Sequence, residues 1–252
     1  MLKPFKSSKL LVARAREHFD QFKYVQSSFL ARRPYGFFSD TDPDTREIRC
    51  KVKVNDDLGI KMPVIAFDIV NCLRSSLDHA VYDSARAIEG NPKPSGTKFP
   101  FGSTPEDAAR NLDRYKGNEI PVAIRPFLLS FEPYPTGKEA IWELNELRNQ
   151  KIHRILQAIA ASSGGVGFGN GTITHATMSF ASEWDHERGE LTYMRLQPGA
   201  KMQMRIDPMI SIGFGNIGLF GTKSAVEVFS NFLEVVERIV LAIEAETFRL
   251  KI

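Results

Sequence analysis

The densest gathering of groups able to act on a substrate is Leu147-Arg148-Asn149-Gln150-Lys151-Ile152-His153-Arg154. A histidine titrates near neutrality and can serve as general base or acid, a guanidinium stabilises charge growing on a phosphoryl group, and an amide can orient either partner. Arg148, Asn149 and His153 therefore form the candidate catalytic set. At 100° per residue, with Ile141 at zero, Leu144, Ile152, Ile155 and Ile159 fall between about 300° and 20°, and Arg148 falls near 340°. The pattern predicts Arg148 in the middle of a buried face, with Asn149 and His153, four apart, on its flank. A guanidinium so placed must be paired, reach a surface by its long stem, or line a polar cavity or subunit interface.

A second arginine and histidine pair lies in Leu73-Arg74-Ser75-Ser76-Leu77-Asp78-His79. Arg74, Asp78 and His79, with Arg154, are candidate supporting residues. Two readings stand side by side. In one the polar groups line an active site; in the other they form a buried network pinning two antiparallel helices, since buried charges persist only when satisfied. Other motifs weigh little. Gly213-Phe214-Gly215-Asn216-Ile217-Gly218 spells a dinucleotide fingerprint, which functions only between a strand and a helix of a parallel βαβ unit, a context the surrounding pattern lacks. Trp184-Asp185-His186-Glu187 reads as a hairpin turn, since consecutive residues there point apart. No GxSxG, CxxC or HExxH occurs, so no metal or cofactor is expected.

The elements that must position these groups follow from periodicity. Apolar residues three or four apart predict helices over about 8–31, 63–89, 137–161 and 223–248, the last with the strongest stripe, Val226, Phe229, Leu233, Val236, Val240 and Ile243. Capping boxes are expected at Ser103 with Glu106, Thr136 with Glu139 and Ser224 with Glu227. Ile48, Cys50, Val52 and Val54 alternate with Glu47, Arg49, Lys51 and Lys53, so strands are expected over about 35–54, and again over 173–214. Residues 91–136, rich in Pro and Gly, read as a structured insertion. The expected architecture is a single α+β domain over 1–252, with a four-helix core, an antiparallel β-sheet and a loop-rich insertion.

Arg148-Asn149 followed by His153 resembles the R-x(4–6)-H motif of the HEPN superfamily of ribonucleases and nucleic-acid-associated helical bundles. The wider pattern, LRSSLDH at residues 73–79 and then Asn149, His153 and Arg154, also looks like an uncharacterised bacterial family with LRxxLDH and NxDKHR segments. Lys151 and Ile152 stand where the second pattern has Asp and Lys. The likeness spans about 90 residues of the second and third helices; the sheet and the insertion have no counterpart in a minimal HEPN bundle. It implies a HEPN-like helical core and metal-independent RNA cleavage. His153 would act on the ribose 2′-hydroxyl, Arg148 would stabilise the phosphorane and Asn149 would orient the imidazole or a phosphate oxygen. It also implies a homodimer and a toxin or phage-defence role. The alternative is a non-catalytic helical interaction protein whose Arg and His network is architectural.

Charge supports a polyanionic partner, though unevenly. The first 33 residues hold eight Lys or Arg against Glu17 and Asp20, while the whole chain is only +3. Lys9, Arg14, Arg16 and Lys23 are the candidate nucleic-acid contacts, against the plainer reading of a solvated helix face balancing acid elsewhere. No run of 18 apolar residues occurs and the first residues lack a signal-peptide core, so no membrane association and a cytoplasmic location are expected. Cys50 and Cys72 sit in apolar patterns and read as small hydrophobes of a reducing compartment.

Overall fold

In the computed structural model the described residues are 4–54, 61–114, 116–149, 156–160, 166–168, 173–174, 178–185, 188–202, 206–208, 210–214, 220 and 223–251. The chain is of the α+β class, and in place of one undivided domain it divides into two compact units. Neither unit is contiguous. One takes residues 1–22, 64–154 and 229–252, the other 23–63 and 155–228. That interleaving leaves no linker whose composition could mark a boundary.

The first unit is helical. Its long elements are α1 (Lys6–Ala31), α2 (Lys61–Glu89) and α6 (Ala225–Leu250), whose outer turns extend beyond the unit. The stripes read from the sequence are the faces they bury. Val12, Ala15, Phe19 and Phe22 of α1, Ile69, Leu73, Leu77 and Ala80 of α2, and Phe229, Leu233, Val236, Val240 and Ile243 of α6 are all buried. Phe22 and Phe229 pack edge to face with centroids 5.2 Å apart, and the buried hydroxyls of Ser84 and Thr247 join α2 to α6 at 2.7 Å. Phe5, fully buried, donates its backbone N–H to Asp83 of α2 at 2.8 Å and so fastens the start of α1.

The insertion is ordered, as its capping signals imply. α3 (Pro105–Asp113) is capped by Thr104, whose hydroxyl accepts from the Asp107 N–H at 3.2 Å, while Asp107 returns the favour to the Ser103 N–H at 3.1 Å. The reciprocal pair is thus shifted one residue from the expected Ser103 and Glu106. α4 (Arg125–Leu129) follows, and Phe99, Phe101, Phe127 and Phe131 form a chain of ring contacts.

The helix expected over 137–161 is the main correction. α5 runs only from Glu139 to Asn149, and Leu156–Ala160 is a strand. Three long helices carry the core of this unit, with the shorter α5 burying Ile141, Leu144 and Leu147. Ile159 continued a helical period by coincidence, while Ile152 and Ile155 lie outside the described residues. A short apolar run is ambiguous in period, and cross-strand pairing decides it.

The second unit is built from β1 (Tyr35–Thr41), β2 (Ile48–Val54), β3 (Leu156–Ala160), β4 (Val166–Phe168), β5 (Ile173–Thr174), β6 (Met178–Asp185), β7 (Glu190–Leu196), β8 (Lys201–Met202), β9 (Ile206–Pro208) and β10 (Ile210–Phe214). Four of them form an antiparallel sheet in the order β1-β2-β7-β6, and β3 pairs antiparallel with β10. Cys50, Val52, Leu191, Met194 and Leu196 make the core of the sheet. Lys51, expected on the solvated row, is buried; Asp40 at 2.8 Å and Glu190 at 3.2 Å neutralise it. The Asp185 carboxylate accepts from the Arg188 N–H at 3.1 Å and Gly189 has φ 63°, so the Trp184-Asp185 stretch ends in the expected hairpin turn. The third capping box is present in full, with Ser224 and Glu227 exchanging bonds of 2.7 and 3.2 Å. β10, which carries Gly213 and Phe214, pairs antiparallel with β3, unlike the parallel unit a dinucleotide site needs, and 215–218 lie outside the described residues. Among the described residues no helix is long and apolar enough to cross a membrane.

Candidate functional site

Within the helical unit α2, α5 and the insertion enclose a cleft of ≈ 550 Å³. Among the described residues that line it are the cations Arg74, Lys98, Arg114, Lys116 and Arg148 and the single carboxylate of Asp78. Asn111, Asn145 and Asn149 add amides, and Phe99 and Phe101 an aromatic wall.

The floor is assembled from α2. Arg74 is 7% exposed, and its guanidinium donates to Asp78 at 2.5 Å and to the Asn145 carbonyl oxygen at 3.2 Å. It also stacks over the Phe101 ring at 4.3 Å. Burial pulls the Arg74 pKa below the ordinary arginine value, and the adjacent Asp78 carboxylate opposes that pull. Asp78 does more than neutralise: it accepts the Phe99 N–H at 3.0 Å and lies 3.5 Å from the Lys98 ammonium, so it fastens the insertion to α2. Of the seven residues in the architectural reading only Arg74 and Asp78 belong to this network; His79, Arg148 and Asn149 are exposed, and His153 and Arg154 lie outside the described residues.

The rim is of another kind. Arg114, Lys116 and Arg148 are exposed and have no ion-pair partner among the described residues. Lys116 is set opposite Lys98 by a 2.8 Å backbone bond from the Lys98 N–H to its carbonyl. Gly117 makes the turn possible, since a Cβ there would lie 2.5 Å from the Asn111 carbonyl oxygen and 2.6 Å from the Leu112 Cα. Three exposed cations around one cavity, with Asp78 as the one carboxylate among its described lining residues, attract a polyanion and pair with phosphate oxygens, and Arg114 also lies near enough to Asp107 to lower that carboxyl's pKa.

The sequence-derived residues distribute as follows. Arg148 lies not in a buried face but exposed at the last turn of α5, because the buried stripe is Ile141, Leu144 and Leu147 and the helix ends at Asn149. Asn149 is exposed beside it, and both face the cleft with Arg74 and Asp78. His153 and Arg154 lie outside the described residues. His79 is exposed outside the cleft, in an adjoining cavity, with Nδ1 3.1 Å from the Ser7 hydroxyl oxygen. The arginine and histidine of the α2 pair thus do not converge; five residues turn a helix by about 140°, enough to part them. On α1, Lys9 pairs with Glu244 at 2.5 Å, Arg14 with Glu17 at 2.7 Å and Arg16 with Glu237 at 2.8 Å. Lys23 belongs to the other unit. The plainer reading of that basic helix, charge balanced by acid on its own face and on α6, fits these three residues.

Sequence reasoning missed Lys98, Arg114 and Lys116, which come from the insertion. Nothing in their spacing sets them against α5; the fold of 91–136 does. In comparisons with protein-family models, curated proteins and solved structures, nothing matches the chain.

Proposed function

We propose that the protein binds single-stranded RNA in this cleft and cleaves it without a metal ion, as a HEPN-like endoribonuclease or an RNA-binding relative of that kind. The observation that carries the reading is the rim, where Arg114, Lys116 and Arg148 face one cavity with no ion-pair partner among the described residues. The chemistry comes from the resemblance. His153 takes the proton of a ribose 2′-hydroxyl, whose oxygen attacks the adjacent phosphorus; the bond to the 5′-oxygen breaks, that oxygen takes up a proton, and a 2′,3′-cyclic phosphate and a 5′-hydroxyl result. Arg148 balances the charge of the phosphorane, and Asn149 orients the imidazole or a phosphate oxygen. A homodimer and a toxin or phage-defence role belong to the same proposal and rest on the resemblance, and a cytoplasmic site of action belongs to it from the sequence reading.

A second reading is favoured by the floor. Arg74 is closed off by Asp78 and Asn145, which is how an interaction protein would use such residues for architecture. Cleavage of labelled single-stranded RNA in EDTA by the wild type, His153→Ala and His79→Ala separates the two. Cyclic phosphate ends that disappear with His153→Ala are the expected result; cleavage that no substitution alters moves the assignment to the interaction protein.

A further inference from the structure

Asp78 and Lys98 border two cavities, not one. On one side is the cationic cleft. On the other is a cavity of ≈ 400 Å³ whose walls include Ser7, His79, Tyr82, Asp83 and Arg86, with His79 and Arg86 near enough to Asp83 to act on its charge. Each is within the range of about 300–1,000 Å³ that holds one small organic ligand, so each has room for a nucleotide. Between them the Lys98 side chain is 41% exposed and its Nζ lies 3.5 Å from Asp78, which Arg74 and the Phe99 N–H hold in place, so Lys98 is the mobile member of the wall.

One row of residues on α2 runs through both cavities. Arg74 lines the cleft, Asp78 lines both, and Tyr82 and Arg86 line the second cavity, each four residues after the last. Twelve residues of helix cover about 18 Å, a length suited to several nucleotides of an extended strand and too great for one. The second cavity has the parts a sequence-tolerant nucleotide site uses, an aromatic ring for a base and a guanidinium for a phosphate.

Building on the RNA reading above, we infer that the second cavity is a further nucleotide subsite of the same track. A strand held by Arg148 and Lys116 in the cleft passes over Lys98 and sets a following nucleotide against Tyr82, His79 and Arg86. His79 therefore serves as a contact of the bound strand, at a distance along α2 from the cleft.

The experiment measures binding of 2′-O-methyl oligouridylates of two and six nucleotides, in which attack by the 2′-oxygen is blocked, by fluorescence anisotropy over a range of salt. Arg86→Gln is expected to weaken the hexamer about tenfold, the effect of one charge-assisted contact. It should also lower the salt slope by about 0.7 while leaving the dimer unchanged. Equal hexamer affinity in the wild type and Arg86→Gln overturns the subsite and leaves the cleft reading standing, and so does an equal loss for dimer and hexamer. Arg148→Gln must weaken both lengths; if it weakens neither, the cleft reading falls and the subsite with it. His79→Gln carries the same measurement should Arg86→Gln fail to fold.

Discussion

Arg74 and Arg148 border one cleft with the same guanidinium and are engaged in opposite ways. Arg74 comes from the middle of the long α2, where turns on both sides and Phe101 above exclude water, so its charge had to be met by Asp78 and its remaining donors by Asn145. Arg148 comes from the last turn of α5, where a cation is favoured by the helix carbonyls and solvent surrounds the side chain. Position along a helix, not residue type, decides which becomes structure and which stays available to a ligand. The floor, then, should answer to stability measurements and the rim to binding measurements.

Removing the floor's carboxylate is the largest test. Asp78→Ala leaves a buried guanidinium uncompensated and frees the insertion, and should cost about 3 kcal/mol in urea denaturation. A change within about 0.5 kcal/mol, the range of ordinary surface substitutions, would erase the distinction between floor and rim. Gly117→Ala comes next. Its Cβ meets backbone atoms of α3, which cannot swing aside, so the turn carrying Arg114 and Lys116 must move, at about 1–3 kcal/mol and with weaker RNA binding.

Arg148→Gln should reverse the pattern of Asp78→Ala. Stability is expected within about 0.5 kcal/mol of wild type, with RNA affinity reduced about tenfold. Anisotropy and urea titration on one preparation decide it, and a large stability loss would place Arg148 with the floor.

The smallest expected effect extends the comparison to the neighbouring cavity. Burial raises the Asp83 pKa above its ordinary value, although the Phe5 N–H works against the rise. A carboxyl with a raised folded-state pKa contributes stability that is fully present below the unfolded value, about 3.9, and lost as pH rises through the folded value. Relative to Asp83→Asn, the wild type should therefore gain stability as pH is lowered from 7 towards 4. A flat difference would mean that Asp83 is solvated like an exposed carboxylate.

Much of the helical unit was legible in the residues themselves. The stripes at Ala15, Phe19 and Phe22, at Leu73 and Leu77 and from Phe229 to Ile243 are the buried faces, because burial of one side of a helix imposes a period that local composition carries. The Ser224 and Glu227 cap was legible for the same reason, since both partners lie within one turn. Of the seven central candidates read from the sequence, Arg74, Asp78, Arg148 and Asn149 line the cleft, His79 does not, and His153 and Arg154 lie outside the described residues. Lys98, Arg114 and Lys116 were not, because their convergence depends on how 91–136 folds back onto α2.

By itself the amino-acid order determined the α+β class, the long helices, the hairpin and the concentration of polar chemistry on two helical segments, since each depends on interactions within a few residues. Tertiary structure alone decided that Leu156–Ala160 would pair with Ile210–Phe214 as a strand, that Arg74 would be buried beneath Phe101 and bonded to Asn145, and that Arg148 would be left facing a cavity. Those outcomes turn on partners far away in the chain or on water excluded by distant segments, and a period along one helix holds no record of either.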